Sequence, residues 1–107
     1  MHSKEITASE VISSISSGKN LVVVDVRDAN SFSHGHIPGA ISIPAQSFDI
    51  GLLENTPKQT EIVVACYRGV MSKDVARYLS SAGFSNVVSL KGGMDRWAKT
   101  SGAPIAH

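Results

Sequence analysis

The chain has 107 residues, 42% hydrophobic and 18% charged, with a formal net charge of +1. That length suits one small domain with a core of two or three layers, and we read residues 1–107 as a single domain. The composition excludes a disordered chain, and no basic excess points to a nucleic-acid partner. No stretch approaches the roughly 18 apolar residues of a membrane span, and MHSKEITASE at the N-terminus lacks an apolar signal region, so the expected location is cytoplasmic.

Thr7 to Gly18 opens on TASE, a capping box in which Thr7 and Glu10 each satisfy a backbone N–H of the first helical turn. The helix that follows carries Val11, Ile12 and Ile15 on its apolar side. Ile6, just before it, belongs to a very short edge strand. Leu21 to Val26, LVVVDV, is the clearest strand, β-branched and apolar enough for a central position in a parallel sheet. Asp25 and Arg27 stand at its carboxyl end, where Asp25 can tie loop N–H groups and Arg27 can pair with a neighbouring carboxylate. Phe32 to Pro44 holds a second strand, Ala40 to Ile43, behind a Pro38-Gly39 turn. His36 precedes that turn, and its position favours a hydrogen-bonding role over general-base work.

Ala45 to Thr60 predicts a short helix packed through Phe48, Ile50, Leu52 and Leu53 and ended by Pro57. Glu61 to Leu79, EIVVACYRGVMSKDVARYL, organises the rest. Its run Ile62 to Ala65 suits a strand covered on both faces. Val75, Ala76, Leu79 and Ala82 then recur at helical spacing, with Gly83 as the stop. Asn86 to Ser89 adds another strand, and LKGGMDRWA begins a helix at a glycine pair, with Met94, Trp97 and Ala98 on its buried face. The tail SGAPIAH reads as a loop. Strands alternating with helices imply an α/β fold: a parallel sheet with helices on both faces.

Cys66 is the one cysteine, so an internal disulfide and thioredoxin-type CxxC chemistry are excluded. The histidines, His2, His34, His36 and His107, have no carboxylate or thiol beside them at ligand spacing, and the sequence implies neither a metal nor a cofactor. A lone cysteine after a strand is commonly buried and inert. The residues following Cys66 reverse that reading. A tight loop between strand and helix turns successive N–H groups inward, and the helix N-terminus adds roughly half a positive charge, which together make a cup for anions. On its rim the Cys66 sulfur is favoured as thiolate. Arg68 can grip an oxyanion with paired donors, Gly69 permits a backbone angle that a side chain opposes, and Ser72 can cap the helix while offering its hydroxyl to the cup. Asp74 suits the helix dipole but repels an anion if it faces the cup, with Lys73 beside it as a partial offset.

These residues resemble the rhodanese-like domain, specifically its single-domain bacterial thiosulfate sulfurtransferases, from Ile6 to about Pro104. Three stretches carry the likeness: DVRDANSFSHGHIPGAISIP (25 to 44), CYRGVMS (66 to 72) and LKGGMDRWAKTSGAPI (90 to 105). The first matches the family's aromatic and His-Ile-Pro-Gly-Ala signature at Phe32 and His36 to Ala40; the third matches its Gly-Gly signature at Gly92, Gly93 and Trp97. The resemblance implies a three-layer fold around a five-stranded parallel sheet. It also implies that Cys66 takes a sulfane sulfur from a small donor, holds it as a persulfide and passes it to a small or protein thiol acceptor. Tyr67, Arg68, Gly69, Val70, Met71 and Ser72 then line the substrate. Two positions depart from the common pattern: Ser31 stands where many members have a glutamate that pairs with the arginine of the DxR segment, and Arg68 is the loop's only cation.

Two other classes compete. One is a persulfide carrier that works with a partner protein and turns over small donors poorly. The other is a phosphatase, whose loop has an arginine six residues after the cysteine; Ser72 occupies that position and removes the dianion clamp. No feature sets an oligomeric state.

Overall fold

Five strands, β1 (Glu5–Ile6), β2 (Leu21–Asp25), β3 (Ile41–Ser42), β4 (Glu61–Ala65) and β5 (Val87–Leu90), pair in parallel in the order β1-β5-β4-β2-β3. The computed structural model describes residues 4–107, so His2 lies outside it. Three helices lie between strands, α1 (Ala8–Ser16), α2 (Ala29–His34) and α3 (Met71–Ser81), and a fourth, α4 (Gly93–Ala98), follows β5.

Alternation along the strands divides the core into two layers. Val23, Val63, Ala65, Val88 and Leu90 turn to one face and pack with Ala8 and Val11 of α1 and Met94 and Trp97 of α4. Val24, Ile62, Val64 and Val87 turn to the other face and meet Val75, Ala76 and Leu79 of α3. Because both faces are covered, β2 and β4 are apolar on consecutive residues, the pattern that marks parallel strands. Thr7 and Glu10 make the expected capping box, at 3.2 Å and 3.0 Å. Trp97 is fully buried, and its Nε1 donates to the Pro104 carbonyl at 2.9 Å. The tail is held as well, through a two-way backbone bridge between His36 and Ala106. Among the described residues no helix is long and apolar enough to cross a membrane.

Several local expectations are corrected. Residues 29–34 form the helix α2, which the prolines and glycines downstream obscure; Asp28 caps it by accepting from Ser31 N at 2.8 Å. Residues 45–53 form two short 3-10 turns, not one helix, and only Leu53 of that segment is buried. Leu52 points outward, as a tight three-residue turn cannot keep two consecutive leucines on one side. Ala82 and Ala98 fall just beyond the buried arcs of α3 and α4 and are exposed.

The strand order positions the site. From β2 the chain moves outward to β3 at one edge, whereas from β4 it moves to β5 on the opposite side. The neighbours β2 and β4 therefore send their following loops apart, leaving a crevice at their carboxyl ends. Open α/β sheets bind ligands at such a switch point.

Candidate active site

Cys66 follows β4 directly and stands at that crevice. The loop from Tyr67 to Val70 turns sharply at Gly69, whose φ of +87° is strained for any residue with a side chain. A Cβ there would lie 3.0 Å from Gly92 N and 3.1 Å from Leu90 O, so the loop is also closely packed. This turn brings two N–H donors to one sulfur, Gly69 at 3.1 Å and Ser72 at 3.3 Å, and sets Ser72 Oγ 3.3 Å from it, where the hydroxyl accepts from the thiol and donates to the thiolate. Burial pushes the Cys66 thiol up, but the Ser72 hydroxyl and the N–H groups of Ser72, Gly69 and Arg68 outweigh it, and its pKa falls below the ordinary value. The cup expected around a bound anion is thus already focused on the sulfur itself. Cys66 is not on a rim, for it is 1% exposed.

Ser72 does not cap α3. The residue preceding the helix is Val70, without a side-chain cap, and Ser72 is the second helical residue, buried and bonded to Ser89 Oγ at 2.6 Å. Arg68 sits in the loop with its side chain 83% exposed, 3.6 Å from the exposed carboxylate of Asp95. Val70 is 73% exposed, Tyr67 partly exposed and Met71 half-buried against the core. Asp74 is exposed and paired with Arg77, while Lys73 is paired with Glu5 at 3.6 Å.

The loop is held from two sides. On one side α4 begins at Gly92 without a side-chain cap, and its first free N–H groups bond the loop carbonyls instead: Met94 N to Cys66 O at 2.8 Å and Asp95 N to Tyr67 O at 2.9 Å. On the other, the Tyr67 hydroxyl reaches across the crevice to donate to Asp28, with Ser31 Oγ 3.1 Å away. That phenol and the Ser31 N–H hold the Asp28 carboxyl down at about 2. Beneath it Arg27 makes a buried fork onto Asp25, with contacts of 2.7 to 3.2 Å, and donates to Gly35 O at 2.7 Å. Its partner is thus the nearby carboxylate expected for it, so Ser31 leaves no charge unpaired. His36 bonds Phe32 O through Nδ1 at 2.8 Å and stacks on the Phe32 ring, a structural role.

Asp28, Ser89 and Asp95 were not singled out in the sequence, and Ser31 entered only as a departure from the family pattern. Each lies far along the chain from Cys66 and meets the loop only through the sheet order. Among the described residues no group of three or more His, Cys, Asp or Glu side chains is placed to hold a metal.

Fold and loop define an α/β protein with a buried thiol, its pKa lowered by the loop's donors, at the switch point. Residues 7–100 match the family described as rhodanese-like domain, and the chain belongs to that family. It is 33% identical over 94 residues to the thiosulfate sulfurtransferase GlpE of Shewanella oneidensis, covering 88% of this chain and 91% of that one. It is 36% identical over 99 residues to the GlpE of Haemophilus influenzae, covering 92% and 91%. Among solved structures, the rhodanese-like domain of an Anabaena protein superposes with a TM-score of 0.85 at 27% identity, over 98% of this chain and 80% of that one. A thiosulfate sulfurtransferase from Pseudomonas aeruginosa gives 0.87 at 25% identity, over 99% of this chain and 20% of the other. The five-stranded parallel sheet with helices on both faces agrees with this membership.

Proposed function

We propose that the chain is a single-domain sulfurtransferase that moves a sulfane sulfur through a persulfide on Cys66. The observation that carries this reading is the convergence of the Gly69 and Ser72 N–H groups and the Ser72 hydroxyl on the Cys66 sulfur. In the first half-reaction the thiolate attacks the outer sulfur of thiosulfate, the S–S bond of the donor breaks, and sulfite leaves with the electron pair. In the second, a nucleophile such as cyanide or a thiolate attacks the outer sulfur of the persulfide and releases the Cys66 thiolate. No external oxidant or reductant enters, and the two halves make a ping-pong cycle. Donors that favour a thiolate also favour an anionic persulfide, so the same loop serves the resting and the loaded enzyme. The similarity to thiosulfate sulfurtransferases supports thiosulfate as donor. The cytoplasm, where a lone thiol stays reduced, suits this chemistry.

Arg68 has the freedom to serve the donor's oxyanion. Its contact with Asp95 is exposed on both sides and therefore weak, so the guanidinium swings to a sulfonate at little cost. Arg68→Ala is expected to raise KM for thiosulfate by about three- to tenfold with kcat changed less than about twofold, because a charge-assisted contact to the bound donor is lost. An unchanged KM removes Arg68 from the donor site. Tyr67, Val70 and Met71 give the rim an apolar character instead of a second charge.

The exposed Val70 also favours a second reading, in which a partner protein presents the sulfur donor or acceptor and small donors turn over slowly. Intact mass after incubation with thiosulfate separates the cases. One added sulfur atom located on Cys66, with turnover to cyanide, supports the enzyme. A persulfide that forms only from a protein donor supports the carrier, and no added sulfur from either donor refutes both.

A further inference from the structure

We infer that Ser89 on β5 is a positioning residue for Cys66: its hydroxyl, acting through Ser72, aims a chain of two hydroxyl donors at the reactive sulfur. The inference rests on the proposed role of Cys66. Ser89 lies between Val88 and Leu90, which turn to the α4 face, so its own side chain turns to the α3 face. It is 0% exposed, as is Ser72. A hydroxyl in such surroundings is costly unless bonded, and its partner is Ser72, with Oγ to Oγ at 2.6 Å. Ser72 Oγ is in turn 3.3 Å from the Cys66 sulfur.

Counting protons gives the chain a direction. It has two contacts, sulfur to Ser72 and Ser72 to Ser89, and each holds one proton. With Cys66 as a thiol, the sulfur donates to Ser72 Oγ, and of the three protons one must turn out of the two contacts, so the hydroxyls do not both point along the chain to the sulfur. With Cys66 as a thiolate, Ser89 donates to Ser72, Ser72 donates to the sulfur, and both contacts are filled. Successive donors in a chain polarise one another, so the outer hydroxyl strengthens the inner one. Without Ser89, the Ser72 hydroxyl is free to turn to a carbonyl of the preceding turn, as serine near a helix start commonly does, and the sulfur loses that donor.

Several charged groups on the surrounding elements are paired. Asp25 is held by Arg27 at the end of β2, Arg68 by Asp95 of α4, Lys73 of α3 by Glu5 of β1, and Asp74 by Arg77 within α3. Glu5 on β1 is the register partner of Ser89. Substituting the serines leaves these charges in place, so a change at the sulfur reports the hydroxyls.

The test is the pH dependence of Cys66 alkylation by iodoacetamide in the full chain. It reads the thiol directly and needs no sulfur donor, so it stands or falls separately from the sulfur-transfer reading. Ser72→Ala is expected to raise the midpoint. Ser89→Ala is expected to raise it less, cutting the thiolate fraction at neutral pH by about two- to fivefold. The double variant is expected to match Ser72→Ala, since Ser89 then has nothing to act through. A Ser89→Ala profile that overlays the native one overturns the proposal, as does a Ser89 effect that persists in full without Ser72. In the unsubstituted chain the Ser89 Cβ resonance is expected to titrate with the Cys66 midpoint. A flat Ser89 response overturns the proposal even if the alanine variant does not fold.

Discussion

Cys66→Ala is expected to abolish thiocyanate formation from thiosulfate and cyanide, a loss of at least about a thousandfold that leaves only the uncatalysed background. The cycle needs one atom that attacks a sulfur, carries it and then leaves from it. Alanine has no electron pair for the first step, and the nearest alternative, the Ser72 hydroxyl, is buried and far more weakly acidic than a thiol. The substitution also has a structural cost. It takes the acceptor away from the Gly69 and Ser72 N–H groups, and a buried donor left unpaired costs about 1–3 kcal/mol. Cys66→Ser separates the two effects, since it restores an oxygen acceptor without a competent nucleophile. Both variants should lose turnover, with Cys66→Ser closer to native in its thermal midpoint. Turnover well above background in either one, measured as the ferric thiocyanate complex, would remove Cys66 from the chemistry.

Gly93→Ala is expected to be the most disruptive single-methyl addition among the glycines. Gly93 has φ +58°, in the left-handed region, and a Cβ there would lie 2.5 Å from the carbonyl carbon and oxygen of Tyr67 and 2.6 Å from Cys66 O. These are backbone atoms, and the two oxygens among them are the acceptors for Met94 N and Asp95 N, so neither side can yield without breaking the bonds that anchor the loop. Left-handed strain of about 1–2 kcal/mol and crowding of about 1–3 kcal/mol together suggest a loss near 3 kcal/mol, a large part of a small domain's stability. The thermal midpoint should fall by on the order of 10–20 °C. Gly102→Ala is the comparison, because Gly102 has φ +80° with nothing within 4 Å and tests the backbone term alone. If Gly93→Ala melts no lower than Gly102→Ala, the close approach of α4 to the loop is not what requires glycine. The sulfur-transfer rate should fall with stability, as the displaced carbonyls belong to Cys66 and to the residue after it.

Local patterns were legible where local physics is decisive. LVVVDV and EIVVA read as covered strands since consecutive β-branched residues suit little else, and TASE read as a helix start since both halves of the capping box lie within four residues. The segment from 29 to 53 was poorly legible. Its short helix and two 3-10 turns are too brief to show a period, and Leu52 and Ala98 show that hydrophobicity at the end of a pattern does not decide burial. At the loop, the sequence showed a cysteine before a helix, a flexible glycine and a cation. It offered Ser72 both to the helix cap and to the cup; the cap falls at Val70, while the Ser72 hydroxyl faces the Cys66 sulfur and bonds Ser89 on another strand.

What the sequence determined by itself was the alternation of strand and helix, the strand-to-helix turn at Cys66 and the glycine pair before α4, all features whose causes lie within a few residues of one another. The tertiary structure decided how deep the thiol sits, which donors reach it and what holds the loop. Sheet order alone brings β2, β5 and α4 around the end of β4, so Asp28, Ser89 and Gly93 acquire roles that their own neighbours in sequence do not specify.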